Sequence, residues 1–180
     1  LETIGFDNQV SFAYYQALQA IFEGYTLSPQ TNFMEELRMI KDEKELATIR
    51  KACSISDRAF TDVLDFIKPG QTTELQVANF LDFRMREYGA SGISFESIIA
   101  SGYRSAMPHG VASDKVIQSE ETLTMDFGCY YNHYVSDMTR TIHIGETTDE
   151  EREIYDIVLR SNRSLIDATK AGMTRRDYDK

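Results

Sequence analysis

The sequence predicts an α+β fold with an antiparallel sheet and flanking helices, on three observations. Apolar residues recur at helical spacing toward both ends of the chain. Between Gly89 and Gly145 the period changes to the alternation of strands. Two of those strands are joined too tightly to hold a crossover helix, so they form a hairpin rather than a parallel pair.

The elements follow in order. Val10, Tyr14, Leu18, Ile21 and Phe22 mark a helix over residues 8–23, stopped by Gly24. A loop containing Ser28-Pro29 comes next, and the mixed stretch Phe33–Lys41 reads as a short strand or a linker. The strongest helix spans 42–67. Asp42 and Glu45 form a capping box, each side chain satisfying a free N–H of the first turn. Its apolar stripe runs through Leu46, Ile49, Cys53, Phe60, Val63, Leu64 and Ile67 to Pro69-Gly70. A third helix covers about Thr73–Tyr88. Strands are expected at 95–100, Leu123–Tyr130 and His133–Ile144. A second capping box, Thr148 with Glu151, opens a last helix that ends near Gly172.

Composition bounds the function. The 180 residues include 29 acidic and 19 basic ones, for a net charge of −10, so no nucleic-acid partner is expected. There is no apolar run of about 18 residues to span a membrane. Cys53 and Cys129 cannot build a disulfide framework or a zinc site unaided, and both read as small buried side chains in a reducing, cytoplasmic setting. The chain starts at Leu1 and stops within a charged stretch, so both ends read as cut.

The hairpin carries the chemistry. On its first strand Leu123, Met125, Phe127 and Cys129 share one face, and Thr124, Asp126, Gly128 and Tyr130 the other. On the second, Met138, Ile142 and Ile144 oppose Val135, Asp137, Thr139, Thr141 and His143. A loop at Tyr131-Asn132 pairs residues whose numbers sum to 263, setting Asp126 opposite Asp137. A loop at Asn132-His133 makes the two diagonal but leaves them on one face. Carboxylates about 5 Å apart on a sheet repel each other. They share a proton, pair with a cation, bind a metal through hard oxygen ligands, or stand apart in solvent. Arg140 is expected on the opposite face, and Gly128 is expected to leave open space beside the pair.

Met125-Asp126-Phe127-Gly128, Tyr134 and Ser136-Asp137-Met138-Thr139-Arg140-Thr141 resemble the pita-bread metallopeptidases, family M24. That family holds methionine aminopeptidases, Xaa-Pro aminopeptidases and Xaa-Pro dipeptidases. Phe95–Gly102 and Arg104-Ser105-Ala106-Met107-Pro108-His109-Gly110 are similar to its Pro-His segment. Arg38–Glu45, Lys68-Pro69-Gly70 with Thr73-Glu74, and Ala171–Thr174 match its domain entry and two turns.

The resemblance implies that residues 33–180 are the first half of a pita-bread catalytic domain, with 1–32 the last helix and linker of an N-terminal domain. Asp126 would ligate one metal, Asp137 would bridge two, and Thr139 would orient a carboxylate. His109 would hydrogen-bond substrate or intermediate near the scissile peptide, while His133 and His143 match no ligand. The implied cofactors are two divalent ions, manganese first, with cobalt or zinc as alternatives. The implied chemistry is metal-assisted hydrolysis. A histidine and two glutamates that complete the family's ligand set would lie beyond Lys180, so the chain reads as a fragment, weak in metal binding and inactive alone. Its Pro-His segment looks like that of bacterial Xaa-Pro peptidases, which act on proline-containing peptides and are usually homodimers. Two other classes are a non-catalytic pita-bread binding module and a creatinase-like amidinohydrolase, neither of which needs both aspartates.

Overall fold

A computed structural model of the protein describes residues 2–178. Contacts divide the chain into two compact units, Leu1–Thr48 and Ile49–Lys180.

The first unit opens with β1 (Thr3–Asp7), α1 (Phe12–Ile21) and β2 (Thr26–Gln30). β1 and β2 pair in parallel, Thr3 with Thr26 through Asp7 with Gln30, so the expected lone helix is the crossover of a β-α-β unit. Ser11 caps α1 by accepting from Tyr14 N at 3.2 Å. The Ser28-Pro29 segment lies inside β2, where a two-stranded sheet leaves proline an edge that needs no donor. Phe33–Met39 forms a helix, α2, rather than a strand or linker.

α3 (Glu43–Phe66) starts at the predicted box: Asp42 Oδ1 accepts from Glu45 N at 2.8 Å, and Glu45 Oε2 accepts from Asp42 N at 2.6 Å. Its buried face is Ala52, Ile55, Ser56, Ala59 and Val63. Cys53 lies outside that face and is exposed, against expectation, whereas Cys129 is buried as expected.

α4 (Glu74–Glu87) is capped by Thr73 and Gln76. It clasps α3 through Asp62, which accepts from the Tyr88 hydroxyl and from Arg84 Nε at 2.7 Å. These bonds hold the Asp62 carboxyl below its ordinary range. The Arg58 guanidinium covers the Tyr88 ring at 3.6 Å.

The strands follow: β3 (Gly92–Ile93), β4 (Ile98–Ser101), then β5 (Glu121–Phe127), β6 (Cys129–Tyr131), β7 (Tyr134–Val135) and β8 (Met138–Ile144). They make two antiparallel three-stranded sheets, ordered β4-β5-β8 and β3-β6-β7. The two strands expected from the sequence are thus each broken, at Gly128 and at Ser136-Asp137. Leu123, Met125 and Phe127 are fully buried against the α3 and α4 faces. Burial contributes about 1.5–3 kcal/mol for each such side chain. α5 (Asp149–Ala168) begins at the predicted Thr148–Glu151 box and has no buried residue, and α6 (Arg175–Tyr178) follows. Among the described residues no helix is long and apolar enough to cross a membrane.

Candidate metal centre

The β6–β7 turn sets the register of the hairpin. Tyr131 pairs with Tyr134, so the loop is Asn132-His133, and both residues take positive φ (46° and 69°). That is the conformation of a tight hairpin turn matched to strand twist. The same register continues into β5 and β8, where Asp126 faces Thr139 and Phe127 faces Met138. Asp126 therefore lies diagonal to Asp137, not directly opposite. Thr139 Oγ1 donates to Asp126 Oδ1 at 2.8 Å, fixing one carboxylate oxygen.

Asp137 is exposed between Ser136 and Met138, both buried. Ser136 is what turns it outward. The Ser136 Oγ accepts from Cys129 N at 3.0 Å and lies 2.7 Å from the Oγ of Ser56 on α3. Its carbonyl accepts from Ser94 Oγ at 3.0 Å. That carbonyl presses on Gly128, where a Cβ would stand only 2.0 Å from it. The space at Gly128 is therefore filled by backbone, not open, because the two strands approach more closely there than a side chain allows.

No cation among the described residues neutralises the pair. Arg140 turns to the other face as predicted, with Nη2 3.9 Å from Asp57 of α3 and Nη1 donating to the Thr139 carbonyl at 2.9 Å. A shallow cleft of about 270 Å³ is lined by Asp126, Thr124 and Thr139 on the sheet and by Met107 and Pro108 on the facing loop. His109 follows Pro108 and is exposed, and no hydrogen bond or ion pair among the described residues ties it to either aspartate. His133 is an exposed turn residue. His143 sits on β8 with Nδ1 3.8 Å from Glu151 and with neither ring nitrogen hydrogen-bonded among the described residues.

The donor set fits a hard divalent cation in kind, being carboxylate oxygens without a counter-charge. It is incomplete in number, since among the described residues no group of three or more metal-ligating side chains converges.

Two supporting elements escaped the sequence reading. Glu74 is fully buried although it opens a helix; its spacing to Val77, Leu81 and Met85 on the same buried stripe was the available sign. Ser56 and Ser136 likewise occupy core faces. Nearby, Lys115 Nζ donates to Glu121 at 2.8 and 2.9 Å and to Ser101 Oγ at 2.7 Å. Burial pushes the Glu121 carboxyl up, but Lys115 and the Gln118 N–H together pull it below the ordinary 4.5. A lowered folded value means stability present above the unfolded value and lost as pH falls through the folded one. Thermal melts of Lys115→Met should therefore lie below those of the native chain at pH 7, with the gap closing as the pH falls from 5 toward 3; a gap independent of pH would refute this.

Residues 47–180 match the family model described as metallopeptidase family M24. The chain is 41% identical over 180 residues to an uncharacterised peptidase of Bacillus subtilis, covering 99% of this chain and 51% of that relative. Among solved structures, an Xaa-Pro dipeptidase from Bacillus anthracis is similar at a TM-score of 0.90 and 42% identity, covering 99% of this chain and 50% of that one. An X-Pro aminopeptidase from Thermotoga maritima is similar at a TM-score of 0.91 and 38% identity, covering 97% of this chain and 49% of that one. The chain thus spans about half the length of the curated relatives it matches.

Proposed function

The chain belongs to metallopeptidase family M24 and has the fold of the first half of a pita-bread domain, and from that premise we propose that the whole protein is a two-metal peptidase hydrolysing Xaa-Pro bonds. The observation that supports this reading is Asp126 on the sheet beside a cleft, with the exposed Asp137 two residues before the Thr139 that pairs with Asp126, and with no cation among the described residues to neutralise either carboxylate.

Asp126 and Asp137 are the carboxylates that would hold the metal. Bound divalent ions supply a water nucleophilic at neutral pH and polarise the scissile carbonyl. The remaining work falls to the chain. Thr139 occupies one oxygen of Asp126 and so restricts how that carboxylate can turn. Ser136, pinned on its hydroxyl and its carbonyl, fixes the backbone from which Asp137 projects. His109 donates a hydrogen bond to the developing oxyanion, a contact stronger in the transition state than in the ground state. Met107 and Pro108 form an apolar wall opposite Asp126, suited to a compact ring such as proline. Manganese and a homodimer belong to the same reading through the family resemblance, and a cytoplasmic setting through the two unpaired cysteines.

The test is release of free proline from an Xaa-Pro dipeptide by the whole protein. Turnover is expected with Mn²⁺, lost on chelation and restored by added metal. A protein that binds the metal and releases no proline defeats the proposal.

A further inference from the structure

The cleft's loop wall is anchored by an ion pair between buried Glu74 and half-buried Arg104 that the chemistry above does not use. Glu74 has no exposed surface. Its Oε1 accepts from the N–H and hydroxyl of Ser101 at 2.8 and 2.9 Å. Its Oε2 accepts from Arg104 Nε at 3.0 Å and from the N–H and hydroxyl of Ser113 at 3.2 and 2.6 Å. A buried carboxylate is tolerated only when paired and hydrogen-bonded this fully. The guanidinium has a second arm: Arg104 Nη2 donates to the Val111 carbonyl at 2.7 Å.

Arg104 and Val111 are the two ends of the segment that carries His109. From Arg104 the chain finishes a 3₁₀ turn (Gly102–Ala106) and passes through Met107, Pro108 and His109. Gly110 N then donates to Met107 O at 3.3 Å and Val111 N to His109 O at 2.9 Å, and Val111 bridges to Ile98 at the edge of β4. One side chain thus starts the loop and grips its far end. Pairing with Glu74 alone would need only Nε, whereas the Nη2 bond falls on the loop whose Met107 and Pro108 wall the Asp126 cleft.

We propose that Arg104, held by buried Glu74, is a positioning residue that fixes the loop presenting His109 to the Asp126–Asp137 site. The proposal rests on the peptidase reading for His109's role, but not for the strap itself. Arginine is required because its fork reaches two acceptors in fixed geometry, while a lysine ammonium is a single point of charge.

Arg104→Lys separates strap from charge, since it keeps a cation beside Glu74. Its melting temperature should stay within a few degrees of the native value and its Mn²⁺ affinity should not change. The amides of Gly110 and Val111 should exchange with solvent at least tenfold faster. In the whole protein kcat should fall about tenfold with KM unchanged, and Arg104→Lys should cost nothing further once His109→Ala is present. Unchanged exchange at Gly110 and Val111 overturns the proposal, and so do losses that multiply in the double variant, because Arg104 would then act independently of His109. If the unmodified whole protein releases no proline, the peptidase reading fails, and the exchange rates alone decide whether Arg104 holds the loop.

Discussion

Gly128→Ala is expected to destabilise the fold by about 3 kcal/mol or more, the upper part of the overpacking range, because the obstruction is backbone. For a chain of this size that corresponds to a fall in melting temperature of roughly 6–12 °C. The added methyl would stand 2.0 Å from the Ser136 carbonyl oxygen, 2.8 Å from its carbon and 2.5 Å from Ser94 Oγ. Ser94 could rotate away, but the Ser136 carbonyl belongs to the strand itself. It can retreat only if the hairpin opens, which breaks the Ser136 bonds to Cys129 and Ser56. Asp137 is the next residue, so the same displacement should weaken Mn²⁺ binding by the whole protein. Gly70→Ala is the control. Gly70 has a φ of +75° with nothing within 4 Å of a built Cβ, so its alanine meets only the left-handed backbone cost of about 1–2 kcal/mol. Equal melting temperatures for the two variants would show that the close approach at Gly128 contributes nothing.

What the sequence made legible follows from how local the signal was. Of the three long helices, α3 and α5 are legible from their capping boxes and α4 from its apolar periodicity. The faces of β5 and β8 followed from alternation alone. The sequence narrows the register to two turns, and the structure has the one at Asn132-His133. A turn at Tyr131-Asn132 would place tyrosine at positive φ, whereas Asn132 and His133 are of the types that tolerate it. The short β1 and β2 were hidden by Gly5 and Pro29, residues that mark turns unless a partner strand is known.

The buried face of α3 shows a different limit. Ranking residues by hydrophobicity finds Val63 and Ile67 but also selects Cys53 and Leu64, and it passes over Ala52, Ile55, Ser56 and Ala59, which complete the face in the core. Small residues let the helix approach the sheet, and a hydrophobicity scale does not reward smallness. Gly128 was misread for the same reason, since its meaning lies in Ser136 across the hairpin. The site divides likewise. Asp126, Asp137 and Thr139 stand in one short hairpin, so a single stretch of sequence nominates all three as candidates. The supports of that hairpin and of the His109 loop come from α3 and α4 through contacts between residues distant in sequence.

The second large effect distinguishes ligand from oxyanion donor. In the whole protein, Asp137→Ala should abolish metal uptake and reduce hydrolysis to background, because on the proposed reading it removes a carboxylate that would hold the metal. His109→Ala should retain the metal and lower kcat by about 10²-fold, the scale of losing one oxyanion donor. Stability makes the contrast independent of turnover. Asp137 is exposed and held in no ion pair among the described residues, so metal-free Asp137→Ala should melt as the native protein does, or slightly higher once like-charge repulsion is relieved. With Mn²⁺ at 100 times its Kd, the native protein should gain about 2.7 kcal/mol, which raises its melting temperature. That gain should survive His109→Ala and vanish in Asp137→Ala. Loss of the Mn²⁺-dependent gain in both variants would make His109 a ligand and remove it from the oxyanion role. A gain preserved in Asp137→Ala would show that the charged face of the hairpin binds no metal, leaving Asp126 and Asp137 as solvated neighbours whose repulsion the sheet tolerates at a cost of less than about 1 kcal/mol.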